Sequence, residues 1–336
     1  MGFGARLAGG MLAILALANP LGAATATTTE NCDGIAVIIG NKDYRGPDVP
    51  DVSFAHRDAD AIRRYVTGTL GFRERNIIDL RDATLAEIER AFGNERSHKG
   101  ELWRLYREGK SDIVAFYSGH GMPGLKDGES YLLPVNVRPS DVEISGYPLR
   151  VLYDNLRKLR ARSVLVLIDA CFSGGSHGGT LVPAGSGLVV KERKVTDVAA
   201  ELTVLTAAGP RQIASWDIGA KHGLFTSYFL KGVAGAADGK AYGDGNRRVT
   251  VSEIKRYLDD EMTYAAKRRF GREQTASAEG DGSVVLATYT PGDARTDQEP
   301  GGNRFDAELE QRLALSRSSR ALIQSGLNAL KLDAGP

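Results

Sequence analysis

Ser163-Val-Leu-Val-Leu-Ile-Asp-Ala-Cys-Phe-Ser-Gly-Gly175 is the stretch on which the reading of this chain turns. Val164 to Ile168 form an unbroken aliphatic run, the pattern of a strand covered on both faces in a parallel sheet. The run stops at Asp169 and Cys171 and dissolves into Ser173-Gly174-Gly175, so a thiol stands at the strand's carboxyl end, the ligand-binding edge of an open α/β sheet. A cysteine alone is more often inert packing than a nucleophile. A second apolar strand, Asp112 to Tyr117, ends in the same way at Ser118-Gly119-His120-Gly121. The two strands therefore place an imidazole and a thiol at matching edges of one sheet, the residue types that a nucleophile and its general base require.

His120 lies 51 positions before Cys171, close to the spacing found in caspases. The chain resembles the caspase and metacaspase superfamily of cysteine peptidases through four motifs in order. These are I-A-V-I-I-G-N-K-D-Y-R at 35–45 with A-H-R-D-A-D-A-I at 55–62, Y-S-G-H-G at 117–121, D-A-C-F-S-G at 169–174, and A-A-G-P-R-Q at 207–212 with H-G-L-F-T at 222–226. The acid before the cysteine favours the bacterial metacaspase-like branch, while Phe172 stands where metacaspases commonly carry His.

The resemblance implies an α/β fold, a caspase-hemoglobinase three-layer sandwich with a mostly parallel central sheet and helices on both faces. It implies a Cys171–His120 dyad, with the backbone N–H groups of Gly121 and Cys171 as the oxyanion hole. Asp58, Ser118 and Asp169 match the family's substrate-pocket positions, which bind a basic residue before the scissile bond. Gln212 and Asp217 are expected in the same pocket, although Trp216 occupies the position of the family's acid. Two converging carboxylates repel each other and a substrate cation relieves the repulsion, so Arg or Lys is the expected specificity. The plainer reading of Asp169 is a loop cap. A lone thiol is only about 3% ionised at neutral pH, so a histidine that lowers its pKa is expected to raise the population of nucleophile. No cofactor is expected; calcium activation rests on family analogy alone, since some metacaspases need the ion.

Composition narrows the alternatives. The chain has 336 residues, 42% of them hydrophobic, enough for one sizeable α/β domain with an appendage. Lys and Arg number 43 against 42 acids, so no nucleic-acid or anionic-membrane surface is indicated, and peptides or proteins are the expected partners. Residues 1–24 read as a signal peptide: Arg6, an apolar stretch from Leu7 to Leu21, then small residues at Gly22 to Ala26. A periplasmic or secreted protein follows, with no membrane attachment after cleavage. Export raises the question of a disulfide between the two cysteines, Cys32 and Cys171. They belong to opposite edges of the sheet, roughly 20 Å apart along a strand, so no intramolecular bridge is expected.

The peptidase domain is expected over 25–290, a linker over 291–304 and a helical tail over 305–332. Helices are expected from Ala55 to before Gly71, from the Thr84-x-x-Glu87 capping box, along a polar stretch reaching Glu108, at Leu149 to Leu159, at Leu224 to Val233, and from the Thr250-x-x-Glu253 box with Ile254, Leu258, Met262 and Ala265 on one face. Asn41 to Ser53 reads as a long loop at the active edge, and Ser283 to Ala287 as an edge strand. The glycine-rich stretch 174–195, with its basic cluster at 191–194, marks an insertion open to autoprocessing. His56, His98 and His222 read as surface or loop residues, and His177 lies in the insertion. Gly174-Gly-Ser176-His-Gly178 satisfies G-x-S-x-G, but no strand-to-helix turn is expected around Ser176. Asp238 to Asn246 lacks the spacing of a calcium loop, and no metal site is expected. A noncatalytic caspase-like scaffold remains the alternative from another class, and a serine hydrolase using Ser176 the remaining enzymatic one.

Overall fold

The computed structural model describes residues 30–46, 49–173, 175–176, 179–180, 202–209 and 211–289. The expected signal peptide, linker, helical tail, basic cluster at 191–194 and His177 lie outside the described residues.

Strands β1 (Ile35–Gly40), β2 (Ile77–Arg81), β3 (Asp112–Ser118), β4 (Ser163–Asp169), β5 (Leu202–Thr206) and β6 (Ser277–Glu279) form one sheet in the order β6-β5-β4-β3-β1-β2. All neighbours pair in parallel except β6, which runs antiparallel to β5. Alternate residues of each strand feed opposite cores, as the two-residue period of a strand requires. Ala36, Ile38, Val114, Phe116, Leu165 and Leu167 pack on one face. That face is covered by α1 (Ala55–Gly68), α5 (Leu224–Val233), α6 (Val251–Tyr257) and α7 (Thr263–Phe270). Ile35, Val37, Ile113, Ala115, Val164, Val166 and Ile168 pack on the other, beneath α2 (Leu85–Phe92), α3 (Glu101–Leu105) and α4 (Leu149–Arg157). Burial on both sides explains why β1, β3 and β4 read as continuous apolar runs rather than alternating ones.

Local signals place the helices. Thr84 and Glu87 form the capping box that opens α2, and Thr250 with Glu253 does the same for α6. Some expectations require correction. The polar helix ends at Leu105 rather than near Glu108. The last helix runs on past Ala265 with a π turn over Leu258–Met262 joining α6 to α7, and Thr263 Oγ1 bonds the carbonyls of Leu258 and Gln274 there. The wider turn keeps Ile254, Leu258, Met262 and Ala266 in the core. Finally, Val285–Thr288 pairs with Arg248–Thr250 as a separate ribbon, while the edge strand of the sheet is the polar Ser277–Glu279. A hydroxyl pair, Thr206 Oγ1 to Ser277 Oγ at 2.6 Å, helps to hold that edge where no apolar pattern announces a strand.

Leu167 is fully buried at the centre of β4. Leu167→Ala is expected to lower unfolding free energy by about 2–5 kcal/mol, read as a lower midpoint in urea unfolding with an unchanged slope.

Candidate active site

β3 and β4 pair in register to their last residues, Ser118 opposite Asp169. His120 and Cys171 each follow that pair by two positions, so the parallel register alone carries the imidazole and the thiol to one place on the carboxyl edge. Both line a single cavity with Val52, Asp58, Ser118, Asp169, Ala214 and Trp216. The sequence expectation for Asp58, Ser118 and Asp169 thus coincides with their placement. Cys32 is exposed near the start of β1 and free, as is Cys171.

His120 is held from every side. The hydroxyl of Tyr44 accepts its backbone N–H at 2.8 Å, and the Tyr44 ring sits 4.8 Å from the imidazole, centroid to centroid. Tyr117 Oη donates to the His120 carbonyl at 2.7 Å. The ring's Nε2 lies 2.6 Å from the carbonyl oxygen of Pro50. That oxygen can only accept, so Nε2 carries the proton and the neutral ring presents Nδ1 as its basic nitrogen. Pro50 therefore orients the histidine through its main chain. No side-chain pattern reveals such a contact; the sole sequence signal was a long loop at the active edge.

Cys171 Sγ accepts the Ala214 N–H at 2.7 Å and is 7% exposed. Burial pushes the thiol up to about 12, against the smaller favourable effect of the Ala214 amide. Burial likewise pulls His120 down to about 4, opposed by the Pro50 carbonyl. Desolvation thus favours the uncharged form of each group in the resting site. A Cβ on Gly121 would lie 2.7 Å from the Cys171 carbonyl oxygen and 2.6 Å from the Phe172 ring. Only glycine permits that approach, and it draws the main chains of the two expected oxyanion donors together.

Asp58 and Asp169 are 1% and 6% exposed. Asp58, in the first turn of α1, accepts Ser118 Oγ at 2.9 Å, the Gly223 N–H at 3.1 Å and, on Oδ1, contacts His222 Nδ1 at 2.7 Å. Asp169 Oδ2 accepts the N–H of Thr226 at 3.0 Å and its hydroxyl at 2.7 Å. Gly223 and Thr226 open α5, so both carboxylates sit at the positive end of that helix. Burial chiefly, and then the charge of Asp58, holds the Asp169 carboxyl well above the usual range. A Cβ on Gly223 would lie 2.1 Å from Asp169 Oδ2, so this position also requires glycine.

His222 is the residue most misjudged from sequence: on the Trp216–Asp217/His222–Gly223 ribbon it is partly buried against the pocket carboxylate Asp58 rather than at the surface. The H-G-L-F-T motif contained it without disclosing its partner. Two expected pocket residues lie elsewhere. Asp217 is buried against Arg269 at 3.0 Å and Lys231 at 3.9 Å, and Gln212 Oε1 braces the amides of Gly209 and Thr275. One residue step on the ribbon turns Asp217 away from the cavity that Trp216 lines. Ser176 lies in a two-residue antiparallel ribbon with Gly179, not at a strand-to-helix turn, so the G-x-S-x-G match is not a nucleophile elbow.

Two clusters carry metal-ligand types among the described residues: Asp43, His56 and Asp82, and Asp238, Asp244 and Glu253. Asp82 Oδ1 already accepts the amides of Lys42 and Asp43 and contacts His56 Nε2 at 2.9 Å. Asp238 accepts the amides of Gly245 and Arg247 and the Tyr289 hydroxyl, while Glu253 Oε2 caps α6. These oxygens brace turns.

Two outcomes are expected. Iodoacetamide at pH 7.5 labels exposed Cys32 before Cys171, read by peptide mass spectrometry; earlier labelling of Cys171 would contradict the neutral, covered thiol. Asp169 has a folded pKa above its unfolded value, so its contribution to stability is full below the unfolded carboxyl pKa and falls as pH rises through the folded one. Asp169→Asn should therefore melt above the parent protein at pH 8, with the advantage fading toward pH 4.

The family model described as a caspase domain matches residues 33–275. Protein GSU0716 from Geobacter sulfurreducens, at 17% identity and a TM-score of 0.50, is covered over 98% of its chain by 77% of this one. Caspase-1 from Spodoptera frugiperda, at 10% identity and a TM-score of 0.49, is covered over 93% of its chain by 78% of this one. No curated protein matches the sequence significantly. With in-register strands delivering His120 and Cys171 to one cavity, and a family match over most of its length, the chain belongs to the caspase-domain family of cysteine peptidases.

Proposed function

We propose that the protein is a cysteine-type endopeptidase that cleaves peptide bonds after Arg or Lys. The observation that carries this reading is that one cavity joins the Cys171 thiol and His120 imidazole to two buried carboxylates, Asp58 and Asp169. A basic side chain enters beside the carboxylates and offsets their mutual repulsion, which brings its carbonyl carbon to Cys171 Sγ. His120 Nδ1 takes the thiol proton as sulfur attacks, so charge separates only in the transition state and the neutral resting pair is no obstacle. The amides of Gly121 and Cys171 receive the oxyanion, His120 returns the proton to the leaving amine, and water then hydrolyses the thioester. Export and self-cleavage within 174–195 accompany this reading as parts of the same proposal.

Fluorogenic peptides ending in Arg, Lys or Asp test it, with and without calcium. The protein is expected to hydrolyse the Arg and Lys peptides, and Cys171→Ala and His120→Ala to lose about a thousandfold or more in kcat. Preference for Asp would overturn the pocket, and turnover surviving in Cys171→Ala would overturn the nucleophile. Inactivity on all three peptides would favour a noncatalytic scaffold.

A further inference from the structure

The two pocket carboxylates are unequal in a way that their shared position conceals. A carboxylate has about four lone-pair sites. Three donors engage both oxygens of Asp58: Oδ1 meets His222 Nδ1 at 2.7 Å and the Gly223 N–H at 3.1 Å, while Oδ2 accepts Ser118 Oγ at 2.9 Å and shares the Gly223 N–H at 3.2 Å. Asp169 Oδ2 is filled by the two donors of Thr226, but Asp169 Oδ1 has no hydrogen-bond partner among the described residues, although Asp169 is 6% exposed and lines the cavity.

We propose that His222 is a specificity-determining residue: its Nδ1–H occupies Asp58, leaving Asp169 Oδ1 as the single open carboxylate oxygen for the substrate cation. The inference rests on the basic-substrate reading of the same cavity and divides its two permitted residues. A guanidinium gains most from a carboxylate that presents two free oxygens, because paired N–H bonds form in one plane. With both oxygens of Asp58 and one oxygen of Asp169 engaged, neither carboxylate offers that pair. A guanidinium then docks through one charged bond, as an ammonium does, and loses its usual advantage. Removing the imidazole leaves Asp58 Oδ1 only the shared Gly223 N–H and opens it to a second charged bond from a guanidinium held at Asp169 Oδ1. His222 acts on selectivity through Asp58, so its effect falls on the ratio between the two cations rather than on the chemical step.

Two full-length backgrounds make the test. In Cys171→Ala protein, agmatine and cadaverine binding is measured by calorimetry as guanidinium and ammonium probes. In protein with Cys171 intact, kcat/KM is measured on paired Arg and Lys peptides. His222→Ala is expected to raise the guanidinium-to-ammonium ratio about tenfold, which is about 1.4 kcal/mol, in probe binding and in kcat/KM alike. His222→Leu, apolar and of similar bulk, should give the same rise and serves if the alanine variant does not fold. His222→Asn places an amide N–H where Nδ1–H stands and should retain the parent ratio. An unchanged ratio in His222→Ala and His222→Leu, or equal loss of both probes, overturns the assignment while leaving basic specificity intact. Parent protein that binds neither amine and cleaves neither peptide overturns both readings together.

Discussion

Two carboxylates, Asp58 and Asp169, are buried side by side at the amino end of the helix over Leu224–Val233, and the arrangement around the sheet edge depends on making that burial tolerable. Isolated buried carboxylates in an apolar interior are costly, and two neighbouring ones more so. Here the cost is offset by donors from three separate parts of the chain. Ser118 comes from the end of β3, His222 and Gly223 from a two-residue ribbon, and Thr226 from the first turn of the helix. Each donor also fixes an element: the Asp58 bonds tie α1 to β3 and to the start of α5, and the Asp169 bonds tie β4 to α5. Glycine at 223 is part of the same solution, since a side chain there would collide with Asp169.

The same desolvation governs the reacting groups. Burial pushes the Cys171 thiol up and pulls the His120 imidazole down, so desolvation favours the uncharged form of both. Orientation replaces charge as the preparation for chemistry. Tyr44 and Tyr117 clamp the histidine main chain, Pro50 fixes which nitrogen carries the proton, and the Ala214 amide fixes the sulfur. In the proposed reaction a substrate cation changes the balance, because it adds positive charge next to two acids and close to the atoms that must separate charge. Selection of the substrate and activation of the nucleophile then draw on one electrostatic feature.

Legibility in the sequence followed the range of the interactions. The parallel core was readable because burial on both faces leaves continuous aliphatic runs, and helix starts were readable wherever a capping box announced them, at Thr84 and Thr250. The positions of His120 and Cys171 were readable because each follows a strand end. What escaped depends on contacts between distant segments. Asp58 and His222 are 164 positions apart in sequence yet 2.7 Å apart in space, and no local pattern distinguishes this histidine from an exposed one. Asp217 was misplaced because a single step along a short ribbon reverses the side a residue faces. The edge strand Ser277–Glu279 was missed because it is held by main-chain pairing and one hydroxyl contact rather than by apolar side chains.

The central claim is that one cavity binds a basic side chain at Asp169 and presents the adjoining carbonyl to Cys171. A crystal structure of the protein treated with a peptidyl chloromethyl ketone carrying Lys at its reactive end tests that claim directly. The account predicts a thioether to Cys171 Sγ, with the lysine ammonium within hydrogen-bond distance of Asp169 Oδ1 and the imidazole of His222 still on Asp58. An adduct on another residue, or a lysine side chain directed away from both carboxylates, would contradict it.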